Sequence, residues 1–175
     1  MGKGTSQKAI IREFSSGGVV FKKQGRVVLW LITKSQPSDR VPNPVWRLPK
    51  GWIDNKSKSL PGAVASGIRR GSEDEIQQAA LREVREEGGV EAKIMKKLGT
   101  IQFFFSLQGQ RILKFVTFYL MEWIKDLKQG FGEETQEVEW LPFAEAYKKL
   151  KYSSEKATLK KANDVIQQGL QENLI

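Results

Sequence analysis

The stretch DEIQQAALREVREEGGV, residues 74–90, constrains the fold more than any other part of the chain. Its apolar residues recur at helical spacing, each residue of an ideal helix advancing by about 100°. With Ile76 set at zero, Ala79, Ala80, Val84 and Val90 fall within an arc of about 140°. Glu83 and Glu87 fall near the centre of that arc, and Glu86 lies at its edge. A solvated acidic face would hold its acids opposite the apolar stripe, paired with Arg82 and Arg85 along the helix. Here they lie on the side that packs. A buried, unpaired carboxylate is costly, so the fold must bring these groups a cation.

Composition narrows what that cation serves. The 175 residues include no cysteine and no histidine, which excludes disulfides, thiolate zinc sites and any Ser–His or Cys–His nucleophile. Acid–base and metal chemistry falls to Asp, Glu, Lys, Tyr or water. Three clustered carboxylates form a hard, oxygen-rich donor set suited to Mg²⁺ or Mn²⁺ rather than zinc. The net charge of +9 fits attraction of a nucleotide, a polyphosphate or RNA, and equally a solvated basic surface. No apolar run approaches the length of a membrane-spanning helix. The first residues, MGKGTSQKA, lack the apolar core of a signal peptide, so a cytoplasmic protein without membrane contact is expected. Gly2 and Ser6 fit a loose myristoylation pattern, short enough to recur by chance.

Along the chain, FSSGGVVFKK (14–23) and RVVLWLIT (26–33) are β-rich runs joined at Gln24-Gly25. VWRL is a further short strand. Residues 55–72 are rich in glycine and serine, with four basic residues and no acid, and predict a mobile loop contributing little to stability. A helix follows from about Glu73 to Glu87, with Ser72 and Glu75 spaced as a capping box and Gly88-Gly89 as its stop. KLGTIQFFFSL and RILKFVTFYLMEW are strand-like and meet at Gln108-Gly109-Gln110. EVEWL reads as a strand, Pro142 as the first residue of a helix, and Ser153 or Ser154 as the cap of a last helix to about Gln168. The order β-β-β-α-β-β-β-α-α predicts one domain, a mixed sheet flanked by helices in an α/β/α sandwich.

Arg82-Glu83-Val84-Arg85-Glu86-Glu87-Gly88-Gly89-Val90 resembles the Arg-Glu-U-x-Glu-Glu-x-Gly-U core of the Nudix hydrolase box, where U is aliphatic. Leu48-Pro49-Lys50-Gly51 resembles the loop that opens that box. The resemblance implies hydrolysis of a nucleoside diphosphate linked to another group, using water and a divalent metal. It implies that Glu83, Glu86 and Glu87 hold Mg²⁺ or Mn²⁺ together with the Gly51 carbonyl, and that Lys50 lies near the phosphates. A further acid from an outside loop is matched best by Glu134, with Glu133 and Glu137 as rivals. The LPKG run, Lys114 opening KFVTFYL, the loop acid before EWLPFAEA, and LKYSS look like the asymmetric diadenosine tetraphosphate hydrolase branch. There the lysine, Lys114, contacts phosphate, and an aromatic residue, Tyr152 or Phe118, stacks on adenine.

The chain departs from the pattern in one place. The family's first glutamate stands eight residues before the arginine, where this chain has the shorter Asp74, and about 17 extra residues separate it from Gly51. In the family that acid pairs with the arginine, so Asp74, or its neighbours Glu73 and Glu75, is expected to support Arg82. The best match is a dinucleoside polyphosphate hydrolase. Alternatives are a pyrophosphohydrolase of RNA 5′ ends or nucleoside triphosphates, and a non-catalytic binding module of the same fold.

Overall fold

The computed structural model describes residues 9–172; Gly2 and Ser6 lie outside them. Strands β1 (Ile11–Gln24) and β2 (Val27–Ser35) form the first hairpin. They are followed by β3 (Trp46–Arg47), β4 (Lys50–Trp52), β5 (Asn55–Ser57) and β6 (Leu60–Pro61). Helix α1 (Glu73–Gly88) leads into β7 (Val90–Leu107), β8 (Gln110–Asp126), β9 (Thr135–Pro142), α2 (Phe143–Lys149) and α3 (Ser153–Glu172). Seven strands make one mixed sheet, in the order β3-β2-β1-β8-β7, with β4 added to β1 and β9 to β2. The β1–β8 pair is parallel and the other pairs are antiparallel.

Alternation along β1 splits the core into two layers. Val20 faces α1 and packs with Leu31, Ala80, Val84 and Met121. Val19 and Phe21 face the other way, into a cluster with Trp30, Phe118, Leu150 and Leu159 under α2 and α3. The sandwich expected from the sequence is the one observed. Gly17 and Gly18 explain how three layers meet at the central strand: a Cβ on Gly17 would collide with the Pro49 carbonyl, and one on Gly18 with Val84.

Ser72 caps α1 in a reciprocal box with Glu75, and Gly89 ends the helix in the left-handed region at φ 67°. Pro142 stands at the N-cap, one position before the helical residue expected of it. Neither Ser153 nor Ser154 precedes α3; both lie in its first turn, and the Tyr152 carbonyl accepts from the Lys156 N–H.

The segment 55–72 is only half the loose loop its composition suggests. Its outer part is a small exposed hairpin of β5 and β6. The inner part is built in. Val64 and Ala65 are buried, and Val64 packs with Ile53 and Ala79. The Asp54 carboxylate accepts the N–H groups of Val64 (3.2 Å) and Ala65 (2.7 Å), while the Ala65 carbonyl accepts from Phe14 N–H. Two apolar residues suffice here because side-chain and main-chain hydrogen bonds hold the turn between them.

Candidate active site

Helix α1 presents Glu83 and Glu87 inward, as its periodicity requires; the first is 6% exposed and the second 2%. Glu86 points out to solvent. Each inward carboxylate meets one guanidinium: Arg82 lies 2.8 Å from Glu83, and Arg47 lies 2.7 Å from Glu87. The Lys50 N–H also donates to Glu87, at 2.9 Å. Burial pushes the Glu83 carboxyl up to about 7, with the adjacent Glu87 charge adding to it and Arg82 opposing. Burial raises Glu87 as well, against the pull of Arg47 and Lys50. Two acids kept side by side at this cost lack positive charge.

Strand β4 brings Gly51 against this pair, and a Cβ there would run into the Glu83 carboxylate. Arg82 fixes the same strand by donating to the carbonyls of Trp52 (2.6 Å) and Ile53 (3.3 Å). Asp74 is exposed and is not brought to Arg82. Glu73 pairs with Lys97 and Tyr119, and Glu75 with Arg69, so neither neighbour takes its place. Direct grip of Arg82 on the main chain replaces the expected acid support.

Lys50 is not held free for a ligand. Its ammonium is buried 2.6 Å from Glu155 of α3, whose second oxygen accepts the Leu48 N–H at 2.8 Å. Lys114 is half-buried and lies beside Glu13 in the parallel register of β1 and β8. Its ammonium is pushed down to about 8 by burial and then by the nearby cations Lys50, Arg40 and Arg47, against the pull of Glu13. Tyr152 is 41% exposed at the entry to α3, whereas Phe118 is fully buried in the core and unavailable for stacking on a ligand.

Of the loop acids, Glu134 is the one whose charge is felt at both Arg47 and Glu87. Glu133 reaches Lys58 and Glu137 reaches Lys34, each at 3.5 Å on the surface. Among the described residues no three acids converge into a ready-made cage. The residues nevertheless fit a hard divalent cation. All donors are oxygens, two of them belong to acids raised first by burial and then by a neighbouring carboxylate, and Gly51, without a Cβ, lets strand β4 lie directly against Glu83. A hollow of about 650 Å³ borders Arg82, Glu86 and Phe131, but Glu83 and Glu87 do not line it.

Sequence reasoning missed Arg47, Glu155, Glu13, Arg40 and Trp52. Arg47 carried a signal, standing two residues before Pro49 in the same short run, and its Nε is buried with no hydrogen-bond partner among the described residues.

Residues 11–162 match the NUDIX domain, and the chain belongs to that family. It is 29% identical over 168 residues to the protein MutT4 of Mycobacterium tuberculosis (strain CDC 1551 / Oshkosh), covering 94% of this chain and 60% of that one. The chain thus spans 60% of the length of this curated relative. The C. elegans Ap4A hydrolase in a binary complex superposes with a TM-score of 0.57 at 19% identity, over 89% of this chain and 98% of the other. The NUDIX domain of Shewanella oneidensis NrtR, complexed with ADP ribose, gives 0.61 at 16% identity, over 94% of each chain. At these identities the two structures attest the fold.

Proposed function

We propose that the chain is a metal-dependent pyrophosphohydrolase that cleaves a phosphoanhydride bond in a nucleoside diphosphate linked to another group. Dinucleoside polyphosphates, diadenosine tetraphosphate among them, are the leading substrates. The observation that carries the reading is the buried pair Glu83 and Glu87, set against the Gly51 main chain with too little positive charge around it. Glu83, Glu86, Glu87 and the Gly51 carbonyl would hold Mg²⁺ or Mn²⁺, which supplies neutralisation of phosphate charge and acidification of water.

The chain's own cations divide the remaining work. Lys114, crowded by like charges, binds phosphate and recovers its proton affinity as an anion arrives. Arg47 restrains Glu87 with one nitrogen and keeps a buried N–H to offer a phosphoryl oxygen. Lys50, tied to Glu155, positions the β4 strand. Glu134 stands near enough to act on Glu87 and Arg47 and joins the site from the loop side. Tyr152 offers an exposed ring at the rim.

A Mg²⁺-dependent screen over dinucleoside polyphosphates, nucleoside triphosphates, ADP-ribose and triphosphorylated RNA tests the reading. Faster turnover of the dinucleoside tetraphosphates supports it. Binding without turnover of any of them sinks the enzyme in favour of a binding module.

A further inference from the structure

Glu13 is a carboxylate that the proposed chemistry leaves unused. It is 3% exposed near the start of β1. Arg40 donates to both its oxygens, at 2.9 Å each, and the Trp52 indole N–H adds a third hydrogen bond at 3.0 Å. The Arg40 guanidinium also lies over two rings, 4.7 Å from the centroid of Trp52 and 5.8 Å from that of Phe105. A flat group with two parallel N–H donors is therefore held along its donor edge by a carboxylate and lies against two aromatic rings.

The walls of this slot are regular strands, whereas its occupant comes from the irregular run between β2 and β3, with its side chain about a third exposed. Arg40 is the one member that no strand carries. The slot adjoins the reaction site, since Trp52 follows Gly51 in β4 and Glu13 neighbours Lys114 across the sheet.

We propose that Glu13, Trp52 and Phe105 form a base subsite selective for guanine, and that Arg40 fills it when no substrate is bound. Guanine repeats the guanidinium edge: N1–H and the N2 amino group point the same way and satisfy both carboxylate oxygens. Adenine sets its amino group beside the N1 lone pair, which would face a carboxylate oxygen. Hypoxanthine keeps N1–H but lacks the second donor. The rings stack on any base and so contribute affinity without choice, leaving discrimination to Glu13. On withdrawal, Arg40 exchanges a buried carboxylate for solvent. The inference rests on the reading that phosphates lie at Glu83 and Glu87, and it assigns guanine rather than adenine to this end of the substrate.

The test compares diguanosine, diadenosine and diinosine tetraphosphates as substrates of the full chain with Mg²⁺, alongside calorimetric binding of GDP and ADP. Guanine should be preferred to adenine by about tenfold or more in kcat/KM, the scale of one good bidentate pair, with hypoxanthine between them. Glu13→Gln should erase the preference by weakening guanine alone. Arg40→Ala should lower KM for the guanine substrate by removing its competitor. Hydrolysis without base preference overturns the subsite and leaves the proposed activity standing. GDP binding that exceeds ADP binding, with no hydrolysis of any compound, keeps the subsite and removes the activity. A rise in KM for all three substrates in Arg40→Ala makes Arg40 a phosphate-binding cation and overturns the proposal. So does equal or absent binding of GDP and ADP to the unmodified chain, a result that needs no variant to fold.

Discussion

Glu83 and Glu13 are both almost fully buried, and both touch an arginine, yet they respond in opposite directions. Glu13 receives a guanidinium fork and an indole N–H, and these hold its carboxyl below the ordinary range although burial alone would raise it. Glu83 receives one guanidinium contact and faces the charge of Glu87, and it rises to about 7. Burial raises both, and at Glu83 it is the leading cause. The number of donors and the sign of the nearest neighbour then decide whether that rise is offset. Glu155 lies on the satisfied side with Glu13, held by Lys50 and the Leu48 N–H. A carboxylate with all its partners stabilises structure, whereas a buried pair short of positive charge marks a place for a cation.

If Glu155 is a satisfied structural acid, removing it should do the greatest damage to folding. Glu155→Ala strands the buried Lys50 ammonium and should cost roughly 3–5 kcal/mol in urea unfolding. The double change Lys50→Met with Glu155→Met should recover much of that loss. On the unsatisfied side the damage should fall on chemistry. Glu87→Gln should leave the circular dichroism unchanged while turnover at saturating Mg²⁺ drops about a hundredfold or more, the scale for losing one preorganised charged group.

These two sides differed just as sharply in how readable they were. The acids of α1 stood out because helical spacing is local: Ile76, Ala80 and Val84 define a face, and Glu83 and Glu87 fall on it. The capping box of Ser72 and Glu75, the stop at Gly89 and the hairpin turns at Gln24-Gly25 and Gln108-Gly109 are equally local, and all appear in the fold. The partners of the buried acids were not readable. Arg47 meets Glu87 across 40 residues, and Leu48 meets Glu155 across 107. Glu155 in its own surroundings looks like an ordinary first-turn helix acid. Asp54 likewise gave no sign that it anchors residues ten positions on, which is why 55–72 resembled a free loop.

Asp54 offers a smaller version of the same contrast. Asp54→Ala releases two main-chain N–H groups and should cost about 1–3 kcal/mol. Leu60→Ala in the exposed hairpin beside it should stay within about 0.5 kcal/mol. Comparable losses at both positions would mean that the segment is held uniformly.

The mildest effect is expected at Lys114, a cation counterpart of Glu83. Its folded value of about 8 lies below the ordinary 10.5, so the unfolded chain binds more protons between those values. Stability should therefore rise with pH from about 8 towards 10.5 through this group. Lys114→Met, already free of the buried charge, should lack that rise, and urea midpoints at pH 7 and pH 10 read the difference. An identical pH response in both proteins would show that Lys114 is not under charge stress.

The contrast between Glu83 and Glu13 comes down to whether the α1 pair awaits a cation, and thermal melting with Mg²⁺ or with chelator measures this in one comparison. In the unmodified chain millimolar Mg²⁺ should raise Tm, because an ion that binds only the folded state stabilises it by mass action. In Glu83→Gln the chelated protein should melt higher than the unmodified one, relieved of repulsion, and most of the Mg²⁺ response should vanish. The same substitution at Glu13 should lower Tm and leave the Mg²⁺ response intact. An unmodified chain that melts at the same temperature with and without Mg²⁺, or a Glu83→Gln variant that keeps the full response, would contradict a cation site at this pair.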